Sequence, residues 1–137
     1  MRKFFDTNVL VYLFDDDNPE KKKRAAELFS ATVRDGAAVL STQVLQEFYV
    51  TVTRKLAVPL SLDAAYRALQ DLSVLPLISI DEQLILSAAR MSQNDSFSFW
   101  DALIVQAALE AGAESLYSED MQHDRVIAGL RIVNPFR

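Results

Sequence analysis

The feature that most limits how this chain can fold is an alternation of short apolar runs with longer stretches whose apolar residues recur at helical spacing. The short runs are Arg2–Phe5, Ala37–Leu40, Leu77–Ile80, Ser115–Ser118 and Leu130–Val133. Runs of this kind suit strands buried on both faces, and parallel strands need long right-handed crossovers, which the intervening helices supply. The expected class is α/β: a three-layer α/β/α arrangement with a central parallel five-stranded sheet, formed by residues 1–137 as one domain.

Local signals set the helices. Asp6-Thr7-Asn8 turns a corner into Val9, Leu10, Tyr12, Leu13 and Phe14, which repeat at helical spacing. Asn18-Pro19 carries the chemistry of an N-cap with proline at the first helical position, predicting a helix to Arg34 with Ala25, Leu28, Phe29 and Val33 inward. Gly36 stops it, and Ser41-Thr42 opens the next helix, with Leu45, Phe48, Tyr49, Val52 and Leu56 on one face. Ser61 to Leu72 reads as helical, and Ser79-Ile80-Asp81-Glu82 as a capping box before a helix to Met91 with Leu84, Ile85 and Ala88 inward. A last helix runs from Ser98 to Ala111, ended by Gly112. There is no repeat, linker or low-complexity tract.

Composition narrows the chemistry. Half of the 137 residues are hydrophobic, enough for a core without disulfides. The absence of cysteine excludes thiol catalysis and zinc-thiolate sites, and His123 is the sole histidine, so a zinc-type centre is poorly supported. A net charge of −5 argues against holding nucleic acid by bulk electrostatics. The N-terminus meets Asp6 too soon for a signal peptide, and no apolar stretch approaches the ~20 residues of a membrane span, so a cytoplasmic location without membrane contact is expected.

In open α/β sheets the ligand crevice lies beyond the carboxyl ends of the strands, which directs attention to acids that follow strands. Asp6 follows the first run and also suits an N-cap, and the two roles are compatible. Asp120 follows the fourth, in a polar turn where a solvated acid is equally at home; Asp124, four residues on, competes for the same place. Asp101 precedes Ile104, Val105 and Ala108 on one helical face, where a lone charge is costly, although Ser98-Phe99-Trp100-Asp101 also approximates a capping box. Glu47 adjoins the apolar face of its helix and can reach the same sheet edge, or stand exposed. Four such carboxylates would repel one another and raise their pKa values unless a hard cation, magnesium or manganese, lies among them. With these four set aside, the remaining 15 acids and 14 bases nearly balance, so much of the acidity belongs to one site. Lys21-Lys22-Lys23-Arg24 with Lys3 offers a basic patch or a solvated helix face, and Arg54 and Lys55 admit the same two readings.

Four ordered segments, Phe5-Asp6-Thr7-Asn8-Val9-Leu10, Gln46-Glu47-Phe48, Ser98-Phe99-Trp100-Asp101-Ala102 and Tyr117-Ser118-Glu119-Asp120-Met121, resemble the PIN-domain family and, within it, the VapC-type toxin ribonucleases of toxin–antitoxin pairs. The resemblance spans essentially the whole chain. It implies that Asp6, Glu47, Asp101 and Asp120 form the catalytic and metal-binding set around Mg2+ or Mn2+, supported by Asn8 and Ser118. It further implies metal-assisted hydrolysis of RNA, a homodimer and a cognate antitoxin. Two rivals stand beside it. One is a binding module that keeps the fold without activity; the other is an aspartyl phosphatase using Asp6 as nucleophile, against which Asn8 occupies the place of the second aspartate.

Overall fold

The computed structural model describes residues 1–137. Its elements run β1 (Arg2–Phe5), α1 (Thr7–Val11), a 3-10 turn (Tyr12–Phe14), α2 (Pro19–Arg34), β2 (Ala38–Ser41), α3 (Thr42–Arg54), α4 (Leu62–Leu72), β3 (Leu77–Ile78), α5 (Glu82–Asn94), α6 (Phe99–Glu110), β4 (Ala113–Tyr117), β5 (Val126–Ile127) and β6 (Leu130–Val133). The sheet has the order β3-β2-β1-β4-β6-β5, parallel throughout except for β5, which pairs antiparallel with β6.

Five of the six strands are the expected parallel ones; the sixth, β5, corrects the strand count. It is two residues long and joins β6 through Ala128-Gly129, both at positive φ (50° and 86°). That is the backbone of a tight hairpin turn, which usually carries asparagine or aspartate where alanine stands here. With neither a long apolar run nor the usual turn residues, the hairpin left little trace in the sequence.

Successive strand residues point to opposite faces, and Phe4 and Phe5 are both fully buried, as are Val39 and Leu40. Both faces of the sheet are therefore covered. The chain steps outward from β1 to β2 and β3, then returns to β4. Right-handed crossovers consequently place α5 and α6 on the face opposite α1 to α4. α6 packs across β2 and β4 and is buried almost all round, with Ala102, Val105, Ala107 and Ala108 fully enclosed.

Four helix details differ from expectation. Val33 is 38% exposed while its neighbour Thr32 is buried, the hydroxyl returning to Leu28 C=O at 2.7 Å; a satisfied threonine thus takes the inward place. Ile85 is also largely exposed, the inward side of α5 being Leu84, Ala88 and Met91. Asp81, not Ser79, caps α5 by accepting from Leu84 N–H at 2.9 Å, and Asn18 precedes α2 without a side-chain cap, its amide bonding Asp15 instead. No helix is long and apolar enough to cross a membrane.

Candidate active site

Phe5 and Tyr117 are partners in the β1–β4 register, so the residues that follow them emerge side by side. The pairing continues one step further, Asp6 N–H donating to Tyr117 C=O at 2.9 Å. β1 and β4 are also where the strand order reverses, the position at which an open α/β sheet leaves a crevice at its carboxyl edge. Asp6 stands in that crevice.

The Asp6 carboxylate caps α1 by accepting from Thr7 N–H at 2.8 Å, and receives the Ser118 hydroxyl at 2.8 Å and the Asn8 amide at 3.3 Å. Cap and crevice acid are one residue. Only 7% of Asp6 is exposed, and burial pushes its carboxyl up to about 6; the bonds from Ser118 and Thr7 pull the other way, and the charges of Glu47 and Asp101 add to the rise.

Asn8 links the two strand ends. Its Nδ2 donates to Asp6 and, at 3.1 Å, to Asp120 Oδ2, while its Oδ1 accepts Glu119 N–H at 3.1 Å. Both acceptors of Nδ2 are carboxylates, which fixes the amide orientation. Glu47 enters from α3 and is held at both oxygens: Thr7 Oγ1 donates to Oε1 at 2.7 Å and Gln43 Nε2 to Oε2 at 3.3 Å. Asp101 sits in the first turn of α6, its N–H donating to Ser98 Oγ at 3.1 Å. Burial raises the Asp101 carboxyl above the usual range, and the Asp120 charge, followed by that of Glu47, pushes in the same direction.

Asp6, Glu47, Asp101 and Asp120 thus face one cavity of about 710 Å³, together with Asn8, Asp15 and Glu119; Lys55 is the only basic residue in its wall. Ser118 lies beneath, completely buried behind Asp6. Asp124 does not line the cavity: its carboxylate lies 3.5 Å from Arg131 and 3.3 Å from His123 Nε2. His123 is a loop residue whose Nδ1 accepts Asn134 N–H at 2.9 Å, and it does not line the cavity. The basic run is largely spent on local partners, with Lys21 on Glu119, Lys22 on Asp16 and Arg24 on Pro135 C=O, while Lys3 pairs with Glu114.

The donor set, all oxygen and without histidine or sulfur, is of the chemical kind that suits a hard divalent cation. As they stand, no three acids are grouped tightly enough to hold one ion. Asp120 is exposed, with Asn8 as its side-chain partner.

Thr7, Gln43 and Glu119 join the four acids at or around the cavity without having been marked as site residues by the sequence. Thr7 lies within the Asp-Thr-Asn corner and Gln43 one helical turn before Glu47, so spacing offered a faint signal for both. Glu119, held by Tyr12 and Lys21, is joined to them across roughly a hundred residues of chain, which no local pattern records.

A PIN domain model matches residues 3–128, and the chain belongs to that family. No curated protein matches it significantly. Among solved structures it is similar to a toxin–antitoxin complex from Klebsiella pneumoniae, at 20% identity and a TM-score of 0.70 over 97% of each chain. It is similar to the sarcin-ricin loop cleaving toxin VapC20 of Mycobacterium tuberculosis, at 18% identity and a TM-score of 0.68 over 86% of this chain and 89% of the other. It is also similar to VapBC2 from Rickettsia felis bound to a promoter DNA fragment, at 17% identity and a TM-score of 0.67 over 96% and 97%. These likenesses establish a shared fold.

Proposed function

We propose that the protein is a divalent-metal-dependent endoribonuclease and the toxin of a toxin–antitoxin pair. The observation that carries the nuclease reading is the convergence of Asp6, Glu47, Asp101 and Asp120, from four distant segments, on one cavity with a single basic residue in its wall. The toxin reading draws on the solved structures of the same fold, which include a sarcin-ricin loop cleaving toxin and toxin–antitoxin assemblies. An antitoxin partner, a homodimer and a cytoplasmic setting follow from the same reading.

Asp6, Glu47, Asp101 and Asp120 would hold Mg2+ or Mn2+. When bound, the ion supplies Lewis-acid charge that activates water for attack and offsets negative charge growing on the phosphoryl oxygens. Asp6 and Glu47 are fixed by their hydrogen bonds and define the rigid side of the site. Asp101, whose raised pKa reflects burial and its acidic neighbours, would orient the attacking water or take its proton, with Glu47 as the alternative. Asn8 holds Asp120 beside Asp6. A single-stranded or looped RNA presents a phosphate to such a crevice most readily.

The phosphatase alternative fits less well, because Asn8 stands where the second aspartate of such a site is needed, and its amide is engaged with Asp6 and Asp120. The binding-module alternative is favoured by one observation, the absence of a tight three-acid group. Incubating the purified protein with end-labelled RNAs, with Mg2+ and with chelator, beside Asp6→Asn, decides between them. Cleavage that needs Mg2+ and is lost in the variant is expected. Metal-independent cleavage that survives the substitution contradicts the mechanism, and RNA binding without cleavage supports the module.

A further inference from the structure

Gln43 lies in the first turn of α3 and is only 4% exposed, yet it belongs to no apolar cluster and does not line the cavity. Its Nε2 donates to Glu47 Oε2 at 3.3 Å and to the main-chain carbonyl of Trp100 at 3.2 Å. Both partners are pure acceptors, so the amide orientation is fixed: nitrogen faces them and oxygen faces away. That oxygen, Oε1, is buried with no hydrogen-bond partner in the structure. An orphaned buried carbonyl is costly, and a leucine or methionine would fill the same space without that cost. The polar side chain therefore needs a reason beyond packing.

Its two bonds supply one. Trp100 immediately precedes Asp101, so one NH2 group ties the Glu47 carboxylate on α3 to the backbone that carries Asp101 on α6. The other Glu47 oxygen is taken by Thr7, next to Asp6. Glu47 is thereby gripped between the Asp6 corner and the Asp101 corner, and Gln43 is the only side chain in hydrogen-bond contact with both Glu47 and the start of α6.

We propose that Gln43 is a positioning residue that sets the Glu47–Asp101 separation for cation binding. The inference rests on the proposal that these acids hold a divalent ion, and it acts through Glu47, not by contact with substrate. Outer groups that orient ligands typically contribute about 10–100-fold to metal affinity.

The test measures Mn2+ affinity by calorimetric titration of the full-length protein, beside thermal melting in chelator, for the parent, Gln43→Met, Gln43→Leu and Glu47→Gln. Gln43→Met keeps the length and unbranched shape while removing both donors. The expected result is Mn2+ binding about tenfold weaker in the two Gln43 variants, by no more than in Glu47→Gln. Their melting temperature in chelator is expected to stay close to the parent's, because removal of the orphaned oxygen offsets the loss of the donor to Glu47 and Trp100. RNA cleavage by Gln43→Met should show a raised half-saturating Mg2+ concentration with the rate at saturating Mg2+ largely recovered. A lower melting temperature with parent-like Mn2+ affinity in both Gln43 variants would overturn the proposal and leave Gln43 a structural residue. Parent-like Mn2+ affinity in Glu47→Gln, or no Mn2+ binding by the parent, would instead place the failure in the metal-site reading beneath it.

Discussion

The two halves of the acidic cavity are built differently. Asp6 and Glu47 are held at both oxygens by neighbours from α1, α3 and the end of β4, and Asp6 is almost wholly buried. Asp101 is half-buried with Ser98 as its side-chain contact, and Asp120 is exposed with Asn8 as its partner. One half is a rigid platform paid for by desolvation; the other is a looser pair whose charges push on one another. Under the proposed reading, such a site would offer an ion fixed ligands on one side and adjustable ones on the other.

Removing the most rigid ligand should cost most. Asp6→Asn is expected to lower RNA cleavage by about 10³-fold, the equivalent of several kcal/mol of lost charge stabilisation, measured as kcat/KM at saturating Mg2+. Asp120→Asn should cost about tenfold less than Asp6→Asn in the same assay; equal losses would show that the halves do not differ functionally.

The rigid half should also reveal itself in stability. Asp6 holds its proton to about pH 6 in the folded protein against a usual value of 3.8, so the unfolded chain ionises first as pH rises. Its contribution therefore favours folding at low pH, is lost progressively between those two values, and stays lost above them. In chelator, the stability of the parent relative to Asp6→Asn should fall by about 3 kcal/mol at most between pH 4 and pH 7.5, at roughly 1.4 kcal/mol per pKa unit. Urea melts at the two pH values measure it, and a rise would reverse the assignment of burial as the dominant cause.

Smaller effects mark the edges of the site. Lys55→Ala, removing the one cation in the cavity wall, should raise KM for RNA about threefold and flatten the salt dependence by roughly one phosphate contact. Asp124→Asn should change cleavage by less than about twofold, because its carboxylate faces Arg131 outside the cavity.

The same division explains what the sequence could reveal. Asp6 and Asp120 were marked by following apolar runs, and Asp101 and Glu47 by their places on apolar helices; the fold brings these four to one cavity. Their supports were harder to read. Thr7 meets Glu47 across 40 positions, Gln43 meets Trp100 across 57, and Lys21 meets Glu119 across 98, contacts that only tertiary packing creates. The parallel sheet was legible because its strands are continuous apolar runs, whereas β5 is too short to leave such a run. Asp124, the alternative to Asp120 in the sequence, lies outside the cavity with its carboxylate 3.5 Å from Arg131, a contact that the β5–β6 hairpin creates.

The most direct test of the account is the position of manganese in crystals of the protein soaked in Mn2+, located by anomalous scattering. The account predicts a peak inside the cavity within about 2.0–2.6 Å of carboxylate oxygens of Asp6 and at least one of Glu47, Asp101 and Asp120. A protein that cleaves RNA while the only manganese lies away from Asp6, or while none is bound, would contradict it.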